Sequence, residues 1–265
     1  MNKTVVTMLS FADPDLRAQI EAMPEGTALI GISTTGQAIA VDLNGESPHV
    51  LVCTASGGGS TTMLRSLTAQ FLHQGAHALV LDPQRISHLW AQALPTVTHR
   101  GNIVGIHEAL LGLATELHRR LDLDGDLDTV PRLIVAVDEA NTTLLRLARY
   151  WETFRQQDDP KTSPAIAALK EALWVGRAAR VHVLFDGRPQ ATVIRDAAHE
   201  LFATVILARF TADTWQVLAP AAGPAPQAAP PPAGPLPRHP ARRGQRDTGD
   251  QDDRRRRRHL AHRPG

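Results

Sequence analysis

HVLVCTASGGGSTTMLRS, residues 49–66, decides how the rest of the chain is read. An apolar run over residues 50–53 leads into a glycine triplet (Gly57, Gly58, Gly59). Three hydroxyl residues follow (Ser60, Thr61, Thr62), and then a helix-like continuation. That order describes a phosphate-binding P-loop. A buried strand ends in a tight loop that opens a helix, so backbone N–H groups and the helix dipole face an anion together. The motif asks for G-x-x-x-x-G-K-[ST], and the eight positions here are Thr54, Ala55, Ser56, Gly57, Gly58, Gly59, Ser60 and Thr61. The second glycine and the hydroxyl are present, but Thr54 stands at the first glycine and Ser60 at the lysine. Glycine triplets beside serine also make plain turns, so the loop needs support from the rest of the chain.

At 265 residues the chain is long enough for a substantial core. Its formal charge of +1 hides an uneven distribution. Residues 219–265 carry ten arginines against four aspartates, a basic arm beside a slightly acidic body. The single cysteine, Cys53, sits in an apolar run and reads as a small buried hydrophobe, so no disulfide framework is expected and a reducing compartment is. The apolar stretch after Lys3 meets Asp13 and Asp15 without a small-residue cleavage pattern, which argues against a signal peptide. No apolar stretch approaches the ~20 residues that span a bilayer. The expectation is a cytoplasmic protein with no membrane segment of its own.

Along the chain, Asp13-Pro14 opens a short helix with Leu16, Ile20 and Met23 on one face. Residues 28–33 and 38–43 read as a β-hairpin. After the loop, Met63, Leu64, Leu67, Phe71 and Leu72 recur at helical spacing. Strand-like runs follow at 78–81 (ending in Asp82-Pro83), 103–106, 133–137 (ending in Asp138-Glu139), 181–185 and 205–208. Helical segments lie between them, over 107–121, onward from Asp138-Glu139 through Trp151 and Phe154, and over 165–179. Alternating strands and helices imply right-handed crossovers and a mostly parallel sheet with helices on both faces, an α/β fold. Ligands of such sheets bind beyond the carboxyl ends of the strands, where residues 57–61, Asp82, Asp138 and Asp186 all fall. The expected divisions are an N-terminal helical segment (1–27), the α/β domain (28–218) and a disordered Pro/Arg-rich tail (219–265). The twelve histidines show no metal-ligand spacing, and His182, within a strand, reads as core-facing or edge.

Six segments in order resemble the motor domain of the FtsK/SpoIIIE family, over roughly residues 28–218. They are PHVLVCT (48–54), the Arg65-Ser66 pair after the loop, LVLDPQ (79–84), ELHRRL (116–121), IVAVDEA (134–140) and GRAARVHVLFDGRP (176–189). The resemblance implies a RecA-like P-loop ATPase that binds ATP and Mg²⁺ and acts on double-stranded DNA in segregation or transfer. It further implies a homo-hexameric ring, or partner ATPase subunits, with nucleotide sites between subunits. The family's winged-helix module and membrane-spanning segment have no counterpart here.

Carried onto this chain, the resemblance makes Ser56, Gly57, Gly58, Gly59, Ser60, Thr61 and Thr62 the nucleotide-binding loop. Thr61 and Asp138 become the Mg²⁺ ligands and Glu139 the residue that polarises the attacking water. Arg188 reads equally as a subunit-interface arginine and as a solvated turn residue. The departures fall on the chemistry. Ser60 brings a hydroxyl and no charge, Thr54 crowds a tight turn, and Asp186-Gly187 replace the family's Thr-Gln sensor pair. The expected ATPase is therefore weak or absent. Two rivals stay open: an active translocase with a substitute cation, Arg65 or a neighbouring subunit's, and an adaptor that keeps only the fold. The arginine run at 254–258 reads as a DNA-phosphate arm, as a solvated tail, or as the product of a shifted reading frame.

Overall fold

Every second residue of the central strands faces one of two apolar layers, and that alternation builds the domain. The computed structural model describes residues 10–33, 35–45, 48–55, 57–123, 127–188, 201–202, 204–219 and 223–224. The chain divides into two units, Met1–Pro226 and Gln227–Gly265, and the second lies wholly outside the described residues. The same is true of the arginine run in the expected basic tail.

Within the first unit, α1 (Pro14–Glu21) starts at Asp13, whose side chain accepts hydrogen bonds from the Asp15 and Leu16 amides. Pro14 at the first helical position lacks only an N–H that the helix would have left unused. The hairpin β1 (Thr27–Ile32) and β2 (Ala38–Asp42) follows as a separate antiparallel pair. The remaining strands are β3 (Val50–Thr54), β4 (His77–Leu81), β5 (Val97–Arg100), β6 (Leu133–Val137), β7 (Val181–Asp186) and β8 (Thr204–Ala208). They form one parallel sheet in the order β5-β4-β6-β7-β3-β8. The α/β RecA-like expectation holds.

One face of this sheet presents Leu51, Leu79, Leu81, Val135, Val137 and Phe185 to α3 (Ile103–Leu121), α4 (Ala140–Glu152) and α5 (Pro164–Val175). The other presents Val50, Val52, Val80, Ile134, Ala136 and Leu184 to α2 (Ser60–His73) and the hairpin. Four residues of β6 are fully buried, and each valine-sized side chain stabilises by about 1.5–3 kcal/mol. Gln70 on α2 fastens the hairpin. Its Oε1 accepts from the Leu29 N–H at 2.8 Å and its Nε2 donates to the Leu29 carbonyl at 2.9 Å, so a buried amide satisfies a strand-edge residue completely.

Residues 103–106, expected as the third parallel strand, instead begin α3. Asn102 caps that helix by accepting from the Gly105 N–H at 2.7 Å. The strand lies just before it, at β5, an edge strand whose alternating half-buried and exposed residues lack a continuous apolar run. The helix expected over 165–179 is α5 to Val175 and then a 3₁₀ turn, Gly176–Ala179. Gly176 makes that ending fit, because a Cβ there would stand 2.6 Å from the Val181 carbonyl oxygen.

Candidate functional site

Each glycine of the triplet has its own reason to be glycine. Gly57 and Gly59 adopt φ of +72° and +89°, the left-handed region that a Cβ disfavours. Gly58 has no such φ, but a Cβ on it would lie 2.6 Å from Thr54 Cβ and 2.8 Å from the Ala55 carbonyl oxygen. The loop therefore turns directly over the end of β3, closed by the Gly58 N–H donating to the Ala55 carbonyl at 2.9 Å. Thr54, where the motif has glycine, is the residue against which Gly58 is pressed. Gly59 precedes α2 without a side-chain cap, leaving the amide groups of the helix start to face an anion. Ser56 lies outside the described residues.

Strand order brings the other groups in. β7 lies between β3 and β6, so Asp186, at the end of β7, sits between the loop and Asp138. Thr61 Oγ1 donates to Asp138 Oδ1 at 3.2 Å. Asp186 stands beside Ser60, and both line the same cleft. Burial pushes the Asp186 carboxyl up to about 6, and the neighbouring Asp138 adds to the rise while Ser60 opposes it. Asp138 moves the other way. Burial would raise it, but His88 beside it, with Asp186 and Ser87, holds it below the usual carboxylate range.

His88 is the residue that sequence reasoning missed here. It is fully buried, and its Nε2 stands 3.2 Å from Asp138 Oδ2 without the alignment of a good hydrogen bond. Asp82 delivers it: one carboxylate oxygen accepts from the Arg85 N–H at 3.0 Å, the other from the His88 N–H at 2.9 Å. Asp82 is thus a completely buried brace for the 82–88 loop, and the structure does not bring it to the loop glycines as a ligand.

Glu139 follows Asp138 in a left-handed conformation (φ 46°), rare for a residue with a side chain, and Gln84 Nε2 donates to its carboxylate at 2.8 Å. Gly187 belongs where it is, since a Cβ would fall 2.5 Å from the Phe185 ring and 2.8 Å from Asn141 Oδ1. Arg188 is exposed, with its N–H donating to Asn141 Oδ1 at 2.7 Å. Gly57, Gly58, Gly59, Ser60, Thr61, Thr62, Glu139, Asp186 and Arg188 all line one cleft of about 740 Å³, within the range of small-ligand sites. Arg65, the candidate substitute cation, lines a second cleft with Phe11, Ile30 and Trp90, which shares Gly58, Gly59 and Thr62 with the first. His182 is buried in β7, its Nδ1 3.2 Å from the Pro48 carbonyl, and burial pulls it down to about 3, so it is a neutral core residue.

The loop has the shape to take a phosphate, and Thr61 with Asp138 offers oxygen donors of the kind that would hold Mg²⁺, with Asp138 buried behind the cleft lining. The loop approaches its own strand too closely for any Cβ at Gly58, as a loop that wraps a phosphate must. The Thr61–Asp138 separation of 3.2 Å is close to the roughly 3 Å edge of an octahedron with ligands at 2.0–2.1 Å.

No protein-family model matches the chain, and no curated protein does. Solved structures do. The pCW3 conjugation coupling protein TcpA, in its monomer form with ATPγS, is 21% identical and superposes with a TM-score of 0.61 over 76% of this chain and 60% of that one. Thermomonospora curvata EccC (ATPases 2 and 3), in complex with a signal sequence peptide, is 19% identical, with a TM-score of 0.56 over 79% of this chain and 38% of that one. The cytoplasmic domain of the type VII secretion ATPase EccC from the same organism gives 16% and 0.53 over 78% and 23%. The chain thus spans about 60% of the coupling-protein structure and less of the EccC structures. At these identities the likeness is one of fold. The chain has the α/β P-loop ATPase fold of these proteins, and the resemblance to FtsK/SpoIIIE-type ATPase domains holds at that level. No helix among the described residues is long and apolar enough to cross a membrane.

Proposed function

We propose that the chain is an FtsK/SpoIIIE-like ATP-binding domain that acts on double-stranded DNA, with hydrolysis weak or lost. The Thr61–Asp138 contact carries this reading, because it joins the loop hydroxyl to the strand-end carboxylate across the intervening strand β7. In this scheme the loop amides and the α2 dipole bind the phosphates, while Thr61 and Asp138 hold Mg²⁺. When bound, Mg²⁺ offsets charge developing on the phosphate oxygens. Glu139, oriented by Gln84, accepts a hydrogen bond from the attacking water. Asp186, with its carboxyl at about 6, is mostly ionised at neutral pH and faces the same cleft, where its charge opposes that of the phosphates. Gly187 offers no side chain to the outer phosphate. Binding survives these changes better than turnover does.

DNA as the substrate rests on the resemblance, on the likeness to a conjugation coupling protein and on the arginine-rich tail. A polypeptide substrate is the second reading, supported by the likeness to EccC, whose structure holds a signal sequence peptide. Isothermal titration of the full chain with ATP, with and without Mg²⁺, followed by turnover with and without duplex DNA, tests the proposal. Mg²⁺-dependent binding, turnover near background and DNA binding that weakens with salt are expected. Brisk DNA-stimulated turnover would make it an active translocase. No ATP binding would leave an adaptor.

A further inference from the structure

The charge missing at Ser60 has a source on the opposite side of the loop. β8 is the edge strand beside β3, in register from Val50↔Thr204 to Thr54↔Ala208. The pairing runs one step further, with the Ala55 N–H donating to the Ala208 carbonyl at 3.2 Å. The next residue, Arg209, turns into the left-handed region with φ of 50°, a conformation an arginine adopts only under constraint. That turn lays its guanidinium against the loop: a Cβ on Gly57 would stand 3.1 Å from Arg209 Nη1. Arg209 and Arg188 together line a cleft of about 240 Å³ that shares Thr54 and Ala55 with the main cleft. Asp213 lines it too, yet among the described residues it makes no ion pair with Arg209.

We propose that Arg209 is the phosphate-binding cation of this site, supplied from the adjacent edge strand of the same chain in place of a lysine on the helix. The proposal rests on the nucleotide reading above and adds the residue that makes the binding affordable without a charge at Ser60. Its ligand class is a nucleoside di- or triphosphate. A planar guanidinium presents donors in a fork that matches phosphate oxygens, and beside a glycine it reaches the loop's ligand with no side chain in between. Neither Arg65 nor a neighbouring subunit is then needed for binding. The strain at Arg209 also acquires a reason, because an unstrained φ would direct the side chain elsewhere.

The test is titration of the full chain with ATP, ADP and AMP in Mg²⁺ at fixed salt, for wild type, Arg209→Gly, Arg209→Lys and the pair Arg209→Gly/Ser60→Lys. The melting temperature without nucleotide is measured for each. Glycine tolerates φ of 50°, so Arg209→Gly is expected to melt no earlier than wild type while binding ATP and ADP roughly ten- to a hundredfold more weakly. AMP affinity should change least. Arg209→Lys should keep part of the affinity, and Ser60→Lys, whose ammonium Asp186 partly captures, should return only a small part of what Arg209→Gly loses. A purely structural role would move stability and affinity together. If Arg209→Gly melts early, Arg209→Gln supplies the same affinity comparison. Wild type and Arg209→Gly binding ATP equally would overturn the role of Arg209 and leave the nucleotide reading standing. A wild-type chain that binds neither ATP nor ADP would remove both.

Discussion

β6 and β7 lie side by side, paired from Leu133↔Val181 to Val137↔Phe185, and each brings an aspartate to its carboxyl end. Asp138 follows the first and Asp186 closes the second. Neighbouring strands stand about 4.8 Å apart, so the two carboxylates share one small region of low dielectric and cannot ionise independently. Their surroundings separate them. Asp138 has His88 and the Thr61 hydroxyl beside it and is held below the usual carboxylate range, whereas Asp186 is desolvated, with Ser60 and the Glu139 backbone too weak to offset the burial, and rises to about 6. In the proposed scheme the first strand end then holds the cation and the second opposes the anion. The side chain is the same in both places, so the assignment of roles comes from the 82–88 loop and the helix start that face it.

The largest effect expected from breaking this contrast is at Asp138. Asp138→Asn removes the only carboxylate charge assigned to Mg²⁺, and a lost charge-assisted contact of about 3 kcal/mol corresponds to roughly a hundredfold loss of Mg²⁺-dependent ATP affinity. Titration with and without Mg²⁺ measures it. An unchanged Mg²⁺ dependence would show that the metal site has been misplaced.

Ser60→Lys asks the opposite question, and the structure changes its expected outcome. Ser60 stands beside Asp186, so a lysine there meets a carboxylate before it meets a phosphate. The single substitution should tighten ATP binding only modestly. Combined with Asp186→Asn, the ammonium is released to the phosphates, and the gain should reach about 1.5–2 kcal/mol, roughly ten- to thirtyfold. If the single and double variants gain equally, Asp186 does not oppose phosphate.

Much of the fold was legible because its core strands are uninterrupted apolar runs: residues 133–137 could hardly be anything but a buried strand, and β6 occupies those same residues. Residues 103–106 misled because IVGI at a helix start looks like a strand until Asn102 is recognised as a cap, while VTHR at a half-exposed edge looks like neither. In the site, the glycine triplet was legible because backbone geometry demands glycine. His88 and Arg209 were not, because no spacing rule links them to the loop. His88 arrives through a brace six residues earlier in the chain. Arg209 arrives because β8 inserts beside β3, a strand order that periodicity cannot reveal. An arginine directly after the last strand was the only signal.

The two aspartates should also differ in how they couple stability to pH. The folded state raises Asp186 from 3.8 to about 6 and so binds its proton more tightly than the unfolded chain does. Its contribution is neutral below about pH 4, becomes increasingly destabilising between about 4 and 6, and is constant above that. Asp138, held low, contributes stability above about pH 4 and loses it as the pH falls further. Allowing for partial exposure, Asp186→Asn should stabilise the chain by on the order of 1–2 kcal/mol at pH 7.5, with the advantage vanishing near pH 4. Melting temperatures of both chains across that range decide it, and an advantage that persisted at pH 4 would mean that charge is not its cause.

The smallest effect belongs to Glu139, which tests whether Asp138 and its neighbour divide their work. Glu139 holds a left-handed φ of 46° at the start of α4, a conformation that costs a residue with a Cβ about 1–2 kcal/mol. Strain of this kind persists where the surroundings impose it, and here Gln84 fixes the carboxylate while Thr143 N–H donates to the Glu139 carbonyl at 3.0 Å. Glu139→Gly should relieve the backbone. Part of that relief is offset by the greater freedom of glycine in the unfolded chain and by the lost Gln84 contact, so the net gain should be only about 0.5 kcal/mol. ATP affinity should stay within about twofold, because the proposed scheme gives Glu139 the attacking water and neither the metal nor the phosphates. Glu139→Gln keeps the stem and the partner and should change affinity less still, while abolishing whatever turnover the chain retains. A tenfold loss of ATP binding in both variants, with the melting temperature unchanged, would place Glu139 in the binding site itself and end the distinction between the two residues that follow β6.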